Sequence, residues 1–345
     1  MTVPTTTRAD SSTQQQHELL VIDGLTIDHV GSPQQRGLVR DVRLSIGAGE
    51  TAALVGESGC GKTMTAMAVL GLLPTSMRVS GGRILFDGTD LVTSSQRVLR
   101  RLRGKEIGVV FQDPMSSLNP TMTLGDQIAE ARRLHLGESW RQARRHAVRL
   151  LDTVGIDSAA QRARAYPHEL SGGMQQRAMI AAAISCDPRL IVADEPTTAL
   201  DVTVQADILD LLRDLRRDRR MAVLLVTHDL GVVADFCSTV AVMYAGEIVD
   251  RGPVQEVFAA PAHPYTEALL SALPKLGRAR TYLEVIPGRV PPAGSFPTGC
   301  RFEPRCRHAV DSICREPQTE TELGDGRGTR CARVAGDGLT LRGIS

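Results

Sequence analysis

Residues 56–63 read Gly56-Glu57-Ser58-Gly59-Cys60-Gly61-Lys62-Thr63. This octapeptide satisfies the pattern G-x-x-x-x-G-K-[ST] and stands between a short apolar run, Thr51 to Val55, and a helical pattern that begins after Gly61. A buried strand, a glycine-rich loop and a helix in this order form a phosphate-binding loop, because glycine lets backbone N–H groups close around phosphate oxygens. We expect Lys62 to reach the β and γ phosphates and the Thr63 hydroxyl to ligate Mg²⁺. The flanking elements argue against the alternative, an accidental glycine-rich turn.

A second motif supplies the acidic groups that a bound Mg²⁺ requires. The apolar run Leu190 to Ala193 predicts a buried strand, and two carboxylates, Asp194 and Glu195, follow at its C-terminal end. Open α/β sheets bind their ligands at this edge. We therefore expect Asp194 to hold Mg²⁺ and Glu195 to orient and polarise an attacking water.

The pattern along the chain predicts an α/β fold with a mostly parallel sheet covered on both faces. Strand patterns and helical patterns alternate from residue 19 to residue 227. An inserted helical subdomain is predicted from the mixture of Arg, Glu, Ala and Leu at helical spacing between Leu124 and Leu151. Besides the runs named above, the predicted elements are strands at Leu19–Ile27, Asp41–Ile46 and Ala222–Thr227, and a helix at Val204–Asp218.

Composition narrows the class of protein. The 345 residues carry 40 Lys and Arg against 39 Asp and Glu, a net charge of +1, which argues against a protein that coats nucleic acid. No apolar run approaches the ~20 residues that cross a bilayer. Residues 1–17 are rich in Thr, Ser and Gln and lack the apolar core of a secretory signal, so we expect a disordered tail and a cytosolic, reducing compartment.

Between the two motifs stands Leu170-Ser171-Gly172-Gly173-Met174-Gln175-Gln176-Arg177, and here the sequence resembles the ATP-binding-cassette (ABC) ATPases. Three further segments match that family in order: Gln112 as the Q-loop, Ala199 to Asp201 as the D-loop, and His228 as the switch histidine. The resemblance implies a P-loop NTPase cassette over residues 18–260, with an antiparallel β edge and a helical subdomain at about residues 113–185.

The resemblance also implies a nucleotide site shared by two cassettes. Ser171 and Gly173 would contact the γ-phosphate held by the partner's loop, while His228 would contact the γ-phosphate and hold Glu195 in register. Gln112 would link the metal and the water to the membrane partner. The implied ATP contacts also include Gly172, Gln175 and Asp201, and His29 occupies the position at which the family stacks an aromatic ring on adenine.

Cys60 stands at a helix N-terminus beside Lys62, in a loop position that is usually Ser in relatives. Such an environment lowers a thiol pKa and favours the reactive thiolate. We therefore expect alkylation of Cys60 to block ATP hydrolysis and bound ATP to protect against it.

Phe111 to Pro120 and His263 to Thr266 resemble segments of the oligopeptide and dipeptide importer ATPases, a group that includes nickel importers. The resemblance implies a paralogous second ATPase subunit, two membrane permease subunits and an extracytoplasmic peptide-binding protein as partners. It places the chain at the cytoplasmic face of the membrane, with no nucleic-acid partner. A nickel importer ATPase and a non-transport ABC ATPase acting on nucleic acid stay open as alternatives.

Many prolines and four of the seven cysteines occur in residues 261–345, which we expect to form a separate C-terminal domain. Cys300, Cys306, Cys314 and Cys331 are separated by five, seven and sixteen residues, a spacing wider than that of most structural zinc sites. An all-thiolate set suits a [4Fe-4S] cluster, as in the C-terminal region of some peptide-importer ATPases that this segment resembles. Zinc and free thiols or disulfides stay open as alternatives.

Overall fold

The computed structural model describes residues 18–31, 37–197, 201–273 and 286–344. The predicted tail at residues 1–17 lies outside them. The strands are β1 (Glu18–His29), β2 (Val39–Gly47), β3 (Thr51–Val55), β4 (Met77–Phe86), β5 (Thr89–Asp90), β6 (Ile107–Val110), β7 (Leu190–Asp194), β8 (Ala222–Thr227), β9 (Thr239–Tyr244), β10 (Glu247–Pro253), β11 (Thr321–Gly324) and β12 (Arg327–Thr329). The helices are α1 (Lys62–Val69), α2 (Gln96–Leu102), α3 (Pro114–Ser117), α4 (Leu124–Leu136), α5 (Trp140–Thr153), α6 (Ala159–Arg162), α7 (Gly172–Ala183), α8 (Val202–Arg219), α9 (Leu230–Phe236), α10 (Val254–Ala259), α11 (Pro264–Ser271), α12 (Asp311–Cys314) and α13 (Ala332–Gly336).

The central sheet has eight strands in the order β11-β12-β10-β9-β3-β8-β7-β6. The five strands from β9 to β6 run parallel, whereas β10, β11 and β12 pair antiparallel at the other end. Every residue of β3, β7 and β8 is buried, as their uninterrupted apolar sequences predict for strands covered on both faces. The predicted α/β cassette fold is confirmed.

A second sheet, of four strands in the order β2-β1-β4-β5, is antiparallel and covers one face of the central sheet. Leu20 and Ile22 of β1 share one hydrophobic cluster with Leu54 of β3 and Val192 of β7. Successive side chains of a strand point to opposite faces, so Ile191 joins the cluster on the other face of the sheet.

That other face is covered by helices α4, α5, α7 and α8, which contribute to the cluster around Ile191. Helix α5 begins with a capping box in which Ser139 and Gln142 satisfy each other's backbone N–H groups. Helix α4 ends at Gly137, a left-handed residue that lets the chain turn back into α5. Helices α4, α5 and α7 lie between Gln112 and β7 in the sequence, and Ser171 is the N-cap of α7. Among the described residues, no helix is long and apolar enough to cross a membrane.

The C-terminal residues continue the same sheet and core. Strand β12 pairs with β10, and the ring of Phe302 lies 5.1 Å from that of Tyr244 and 5.3 Å from that of Tyr265. Phe302 also belongs to one hydrophobic cluster with Val55 of β3. The domain boundary at residue 261 stays a prediction, but the residues on its two sides pack as one structure.

We expect the buried carboxyl group of Asp250 in β10 to make the free energy of unfolding depend on pH. Its side chain is fully buried, its Oδ2 accepts a hydrogen bond from the Ala262 N–H at 2.8 Å, and burial raises its pKa from 3.8 to about 7. The folded protein then binds a proton that the unfolded chain releases, so the free energy of unfolding falls as the pH rises from about 4 to about 7. In urea unfolding, Asp250→Asn should lose this dependence, so its stability relative to the wild type should rise as the pH goes from about 4 to about 7. If the free energies of unfolding of the two proteins changed with pH in parallel, this prediction would be contradicted.

Candidate nucleotide-binding site

The loop that joins β3 to α1 depends on its glycines. Gly56 and Gly61 have φ values of 152° and 109°, in the region that favours glycine. A Cβ atom on Gly56 would lie 2.1 Å from the carbonyl oxygen of Met243, and one on Gly61 would lie 2.8 Å from the Met243 methyl carbon. The loop therefore packs directly on the end of β9, and larger residues at these two positions would displace it.

Lys62 is buried at the start of α1, and its Nζ donates to the carbonyl oxygens of Gly56, at 2.8 Å, and Glu57, at 3.1 Å. The ammonium group therefore lies inside the turn of the loop. A fixed cation surrounded by loop backbone is suited to bind a polyphosphate.

Thr63 and Asp194 lie together, as predicted. The Thr63 hydroxyl donates to Asp194 Oδ1 at 3.3 Å. Burial raises the pKa of Asp194, while the Thr63 hydrogen bond and the charge of Lys62 oppose the rise. A desolvated carboxylate beside a hydroxyl suits Mg²⁺, which takes one or two protein oxygens and completes its shell with phosphate and water.

Glu195 lies between two of the predicted partners. Gln112 Nε2 donates to its Oε2 at 3.1 Å, and His228 Nδ1 lies 3.2 Å from its Oε1. Glu195 has a φ of 47°, and its N–H donates to the Val226 carbonyl at 2.8 Å, so the backbone leaves the strand direction directly after Asp194. The turn holds the carboxylate in a fixed orientation at the end of β7.

These groups border one open cavity of about 420 Å³. It brings the phosphate loop together with the Gln112, Glu195 and His228 side chains. Its lining residues are Ser58, Gly59, Gly61, Lys62, Thr63, Met64, Gln112, Glu195 and His228. His29, at the end of β1, is not among them, so adenine stacking by His29 stays a prediction.

The Ser171 segment begins helix α7. The Ser171 hydroxyl accepts a hydrogen bond from the Met174 N–H at 3.4 Å, which makes it the N-cap, and Gly172 is the first helical residue. Gly173 lies one position further, and a Cβ there would lie 3.1 Å from Val204 of α8. Gln175 is buried and donates to the Pro167 carbonyl at 2.8 Å. Its amide therefore holds the preceding loop, and the contact of Gln175 with nucleotide stays a prediction.

Asp201 is the N-cap of α8, where its Oδ1 accepts from the Val204 N–H at 2.9 Å. Ala199 and Leu200, the other two residues of the predicted D-loop, lie outside the described residues. Asp201 itself is exposed, so its carboxylate is accessible to a partner.

Cys60 is buried. Its side chain is 1% exposed, and its Sγ lies 3.9 Å from Lys62 Nζ. Burial raises the pKa of the thiol more than Lys62 lowers it. The prediction of a reactive thiolate is therefore wrong. It considered only the charge of Lys62 and the helix N-terminus, which lower the thiol pKa, and left out burial, which removes water from the thiolate and raises that pKa.

We now expect Cys60 to react slowly with iodoacetamide at about pH 7, because the thiolate is the attacking species. Peptide mapping of the folded protein should find Cys60 among the last cysteines to be modified, with or without ATP. Cys60→Ser should keep ATP turnover within about twofold of the wild type, because the substitution preserves the side-chain size. Rapid modification of Cys60 in the folded protein would restore the original prediction.

The four C-terminal cysteines lie within electrostatic reach of one another. Burial raises the pKa of Cys300 to about 12 and that of Cys306 to about 11, and Cys314 and Cys331 add to both increases. All seven cysteines lie in the described part of the chain, and all are free thiols. Within that part, no three His, Cys, Asp or Glu side chains are placed to hold one metal ion. The iron–sulfur prediction therefore receives no support from this arrangement.

Comparisons with known proteins place the chain in a family. The profile described as "ABC transporter" matches residues 39–198, and the profile described as "Oligopeptide/dipeptide transporter, C-terminal region" matches residues 249–314. A Brucella abortus protein named provisionally as a peptide import ATP-binding protein is 47% identical over 327 residues, which cover 91% of this chain and 97% of the relative. The chain belongs to the ABC transporter ATP-binding family.

Further relatives agree with this ABC ATPase assignment. A Brucella melitensis protein with the same kind of name is 49% identical over 307 residues, covering 86% of this chain and 91% of the relative. The solved ATP-binding cassette MJ0796, described as a dimer bound to ADP and Pi, is 26% identical with a TM-score of 0.61, covering 68% of this chain and 98% of that one. The cbiO1 protein of Clostridium perfringens, described as part of an ABC transporter complex, is 27% identical with a TM-score of 0.59, covering 70% of this chain and 91% of that one.

The structure of this ABC ATPase shows two residues in contact with the loop that the sequence analysis did not indicate. The Glu57 N–H donates to the Tyr265 hydroxyl at 2.9 Å, and Arg305 pairs with the Glu57 carboxylate at 2.7 Å. Tyr265 follows the loop by more than 200 residues and Arg305 by 248, so no local pattern could have indicated either contact.

Proposed function

We propose that this ABC ATPase energises the uptake of di- and oligopeptides through membrane permease subunits. The observation that carries the proposal is the match of residues 249–314 to the C-terminal region of oligopeptide and dipeptide transporters. The peptide-import names of relatives with 47–49% identity support the same substrate class. A nickel importer and a nucleic-acid ATPase lack a comparable observation.

In the proposed cycle, Mg-ATP binds with its phosphates in the loop around Lys62. Thr63 and Asp194 would hold Mg²⁺, whose positive charge would offset the charge that develops on the phosphates. Glu195 polarises the attacking water and accepts its proton. The contacts of Gln112 and His228 with the Glu195 carboxylate hold that base in a single orientation.

The proposal of a second cassette starts from two predicted ATP contacts that do not line the nucleotide cavity. Ser171 and Gly173 belong to the α7 segment and are absent from the residues that line the cavity around Lys62. We place them against the γ-phosphate of a second, paralogous cassette, where the N-terminus of the 12-residue helix α7 would direct its positive end at the phosphate. Two permease subunits would hold the cassette pair at the cytoplasmic face of the membrane, and an extracytoplasmic binding protein would supply peptide.

Reconstitution with candidate permease subunits tests the proposal. Proteoliposomes that contain the complex and its binding protein should accumulate labelled di- and tripeptides only when Mg-ATP is supplied on the cassette side. Uptake of Ni²⁺ instead of peptide would support the nickel alternative. ATP hydrolysis by the isolated chain that rises on addition of DNA or RNA would support the nucleic-acid alternative.

The proposal extends to a [4Fe-4S] cluster on Cys300, Cys306, Cys314 and Cys331. The Val310 N–H donates to Cys314 Sγ at 3.5 Å, and backbone N–H groups also donate to the other three sulfurs. At Cys300, Cys306 and Cys331 these bonds favour the thiolate, but burial outweighs them and raises the pKa of each thiol. Soft thiolates select iron–sulfur or zinc centres. When bound, the cluster would tie together the segments that carry the four cysteines.

Metal analysis of protein purified without oxygen tests this part of the proposal. We expect about four iron atoms and four sulfides per chain, with a broad charge-transfer absorption that Cys306→Ser and Cys314→Ser each remove. Cys186→Ser is the matched control, because Cys186 is a buried thiol far from this set in sequence. One zinc ion per chain, or no metal, would overturn the cluster.

A further inference from the structure

The phosphate loop is held from the far end of the chain. Arg305 donates through both terminal nitrogens to the two carboxylate oxygens of Glu57, at 2.7 and 3.0 Å. The Arg305 side chain is 5% exposed and that of Glu57 is 27% exposed. Bidentate pairs of this kind fix orientation as well as charge, and limited exposure shields them from solvent screening.

Arg305 is itself fixed by its surroundings. Its Nε donates to the carbonyl of Pro287 at 2.7 Å, and its guanidinium carbon lies 5.6 Å from the ring centre of Tyr244. These contacts hold the guanidinium in one orientation, with its two terminal nitrogens toward Glu57. The same residue of the loop is also held through its backbone, because the Glu57 N–H donates to Tyr265.

A second connection reaches the other side of the loop. Arg301, 4% exposed, donates to the carbonyl oxygen of Ala245, and the N–H of the next residue, Gly246, donates to the carbonyl of Cys60 at 2.8 Å. A Cβ on Gly246 would lie 3.0 Å from Arg301 Nη1, so this turn fits closely around the arginine. Residues 301–305 thus support the loop at both Glu57 and Cys60.

The charge of Glu57 gives the Arg305 contact a consequence for nucleotide binding. Glu57 belongs to the same loop as Lys62, whose ammonium contacts the Glu57 carbonyl at 3.1 Å. A carboxylate left without its cation at this place would repel the charge of a triphosphate. We propose that Arg305 is a positioning residue for ATP: it neutralises Glu57 and fixes the loop, so that the C-terminal segment sets the affinity for nucleotide. This inference rests on the placement of ATP in the loop proposed above.

Titration of the full-length chain with the non-hydrolysable analogue Mg-AMP-PNP tests the inference. Arg305→Met should raise the Kd about fivefold or more, within the range of couplings between contacting residues. Arg307→Met is the matched control, because Arg307 pairs with Glu267 at 3.0 Å in the same segment and is 55% exposed. That control should change the Kd less than about twofold.

A double variant separates positioning from general support of the fold. Adding Glu57→Gln to Arg305→Met removes the unpaired charge, and the Kd should return at least about threefold toward the wild-type value. Arg305→Lys, which keeps the charge but loses the bidentate geometry, should fall between wild type and Arg305→Met. If Arg305→Met does not fold, the same comparison is made between Arg305→Lys and its double variant with Glu57→Gln.

The outcomes distinguish this inference from the site it rests on. Equal affinity in Arg305→Met and Arg307→Met, or a loss that Glu57→Gln does not reverse, would overturn the positioning role while leaving the site intact. Failure of the wild-type chain to bind Mg-AMP-PNP, alone or with its partner cassette, would instead overturn the placement of nucleotide in the loop.

Discussion

Replacement of Glu195 by Gln is expected to lower ATP turnover in the assembled transporter at least ~100-fold, the size of effect that loss of a general base produces. The amide keeps the size of the side chain but cannot accept a proton from water. ATP affinity should stay close to that of the wild type, because Lys62 and the loop backbone are unchanged. Turnover is measured as phosphate release under saturating Mg-ATP, and affinity by equilibrium titration.

The matched control for this prediction is Glu256→Gln in α10, an exposed carboxylate outside the cavity. It should leave turnover and affinity unchanged within about twofold, as exposed substitutions commonly do. Turnover of Glu195→Gln near the wild-type level would identify another group as the base. A parallel loss of ATP affinity would mean that Glu195 holds the nucleotide or the metal.

Replacement of Lys62 by Met is expected to act on binding instead. The wild-type ammonium is buried in the loop and donates at 2.8 Å to the Gly56 carbonyl, so its charge lies where the phosphates are proposed to bind. Loss of hydrogen bonds from a charged donor to phosphate should raise the Kd for ATP on the order of 10- to 100-fold. The measurement is a titration with Mg-AMP-PNP, accompanied by a thermal melt that confirms folding.

Lys105→Met serves as the control for Lys62→Met. Lys105 is 45% exposed, pairs with Glu106 at 3.5 Å and lies outside the cavity, so its removal should not change the Kd. A folded Lys62→Met variant that binds the analogue as tightly as the wild type would place the phosphates elsewhere.

The strands next to the nucleotide loop could be predicted because their sequences are unambiguous. Thr51–Val55 and Ala222–Thr227 were predicted with the bounds that the structure has, and the prediction for β7 ended one residue early, at Ala193. The interior of a parallel strand covered on both faces is apolar, so the strand ends close to the first polar or glycine residues, as at Thr227 and Asp194. The same reasoning placed Asp194 and Glu195 at the ligand-binding edge of the sheet.

Strand β9 and the antiparallel strands β10 and β12 that follow it in the sheet were not predicted. Pro253 ends β10, and β12 has only three residues, so neither shows the pattern of a long regular strand. Their pairing depends on partners that are distant in sequence, such as Asp250 with Thr329. The separate C-terminal domain was predicted from its prolines and cysteines and stays a prediction, and the structure adds that β12 of this region pairs with β10.

The protonation of Cys60 and Asp250 likewise could not be obtained from neighbours in sequence. Cys60 has a cation two residues away, which favours the thiolate, yet burial outweighs that cation and raises its pKa. Burial is a property of the packed chain, and Cys60 belongs to one buried hydrophobic cluster with Leu54 of β3 and Met243 of β9.

The glycine-rich loop with its lysine predicted, from sequence alone, a phosphate-binding loop at the end of a buried strand, and the structure has the buried strand, the loop and the helix in that order. The spacing of glycines and the chemistry of Lys62 and Thr63 are local, so they are readable without the fold. Only the tertiary structure showed that Arg305 and Tyr265 hold that loop, because these contacts join positions more than 200 residues apart. Contacts between positions so far apart in sequence form only when the chain folds, so no local sequence pattern predicts them.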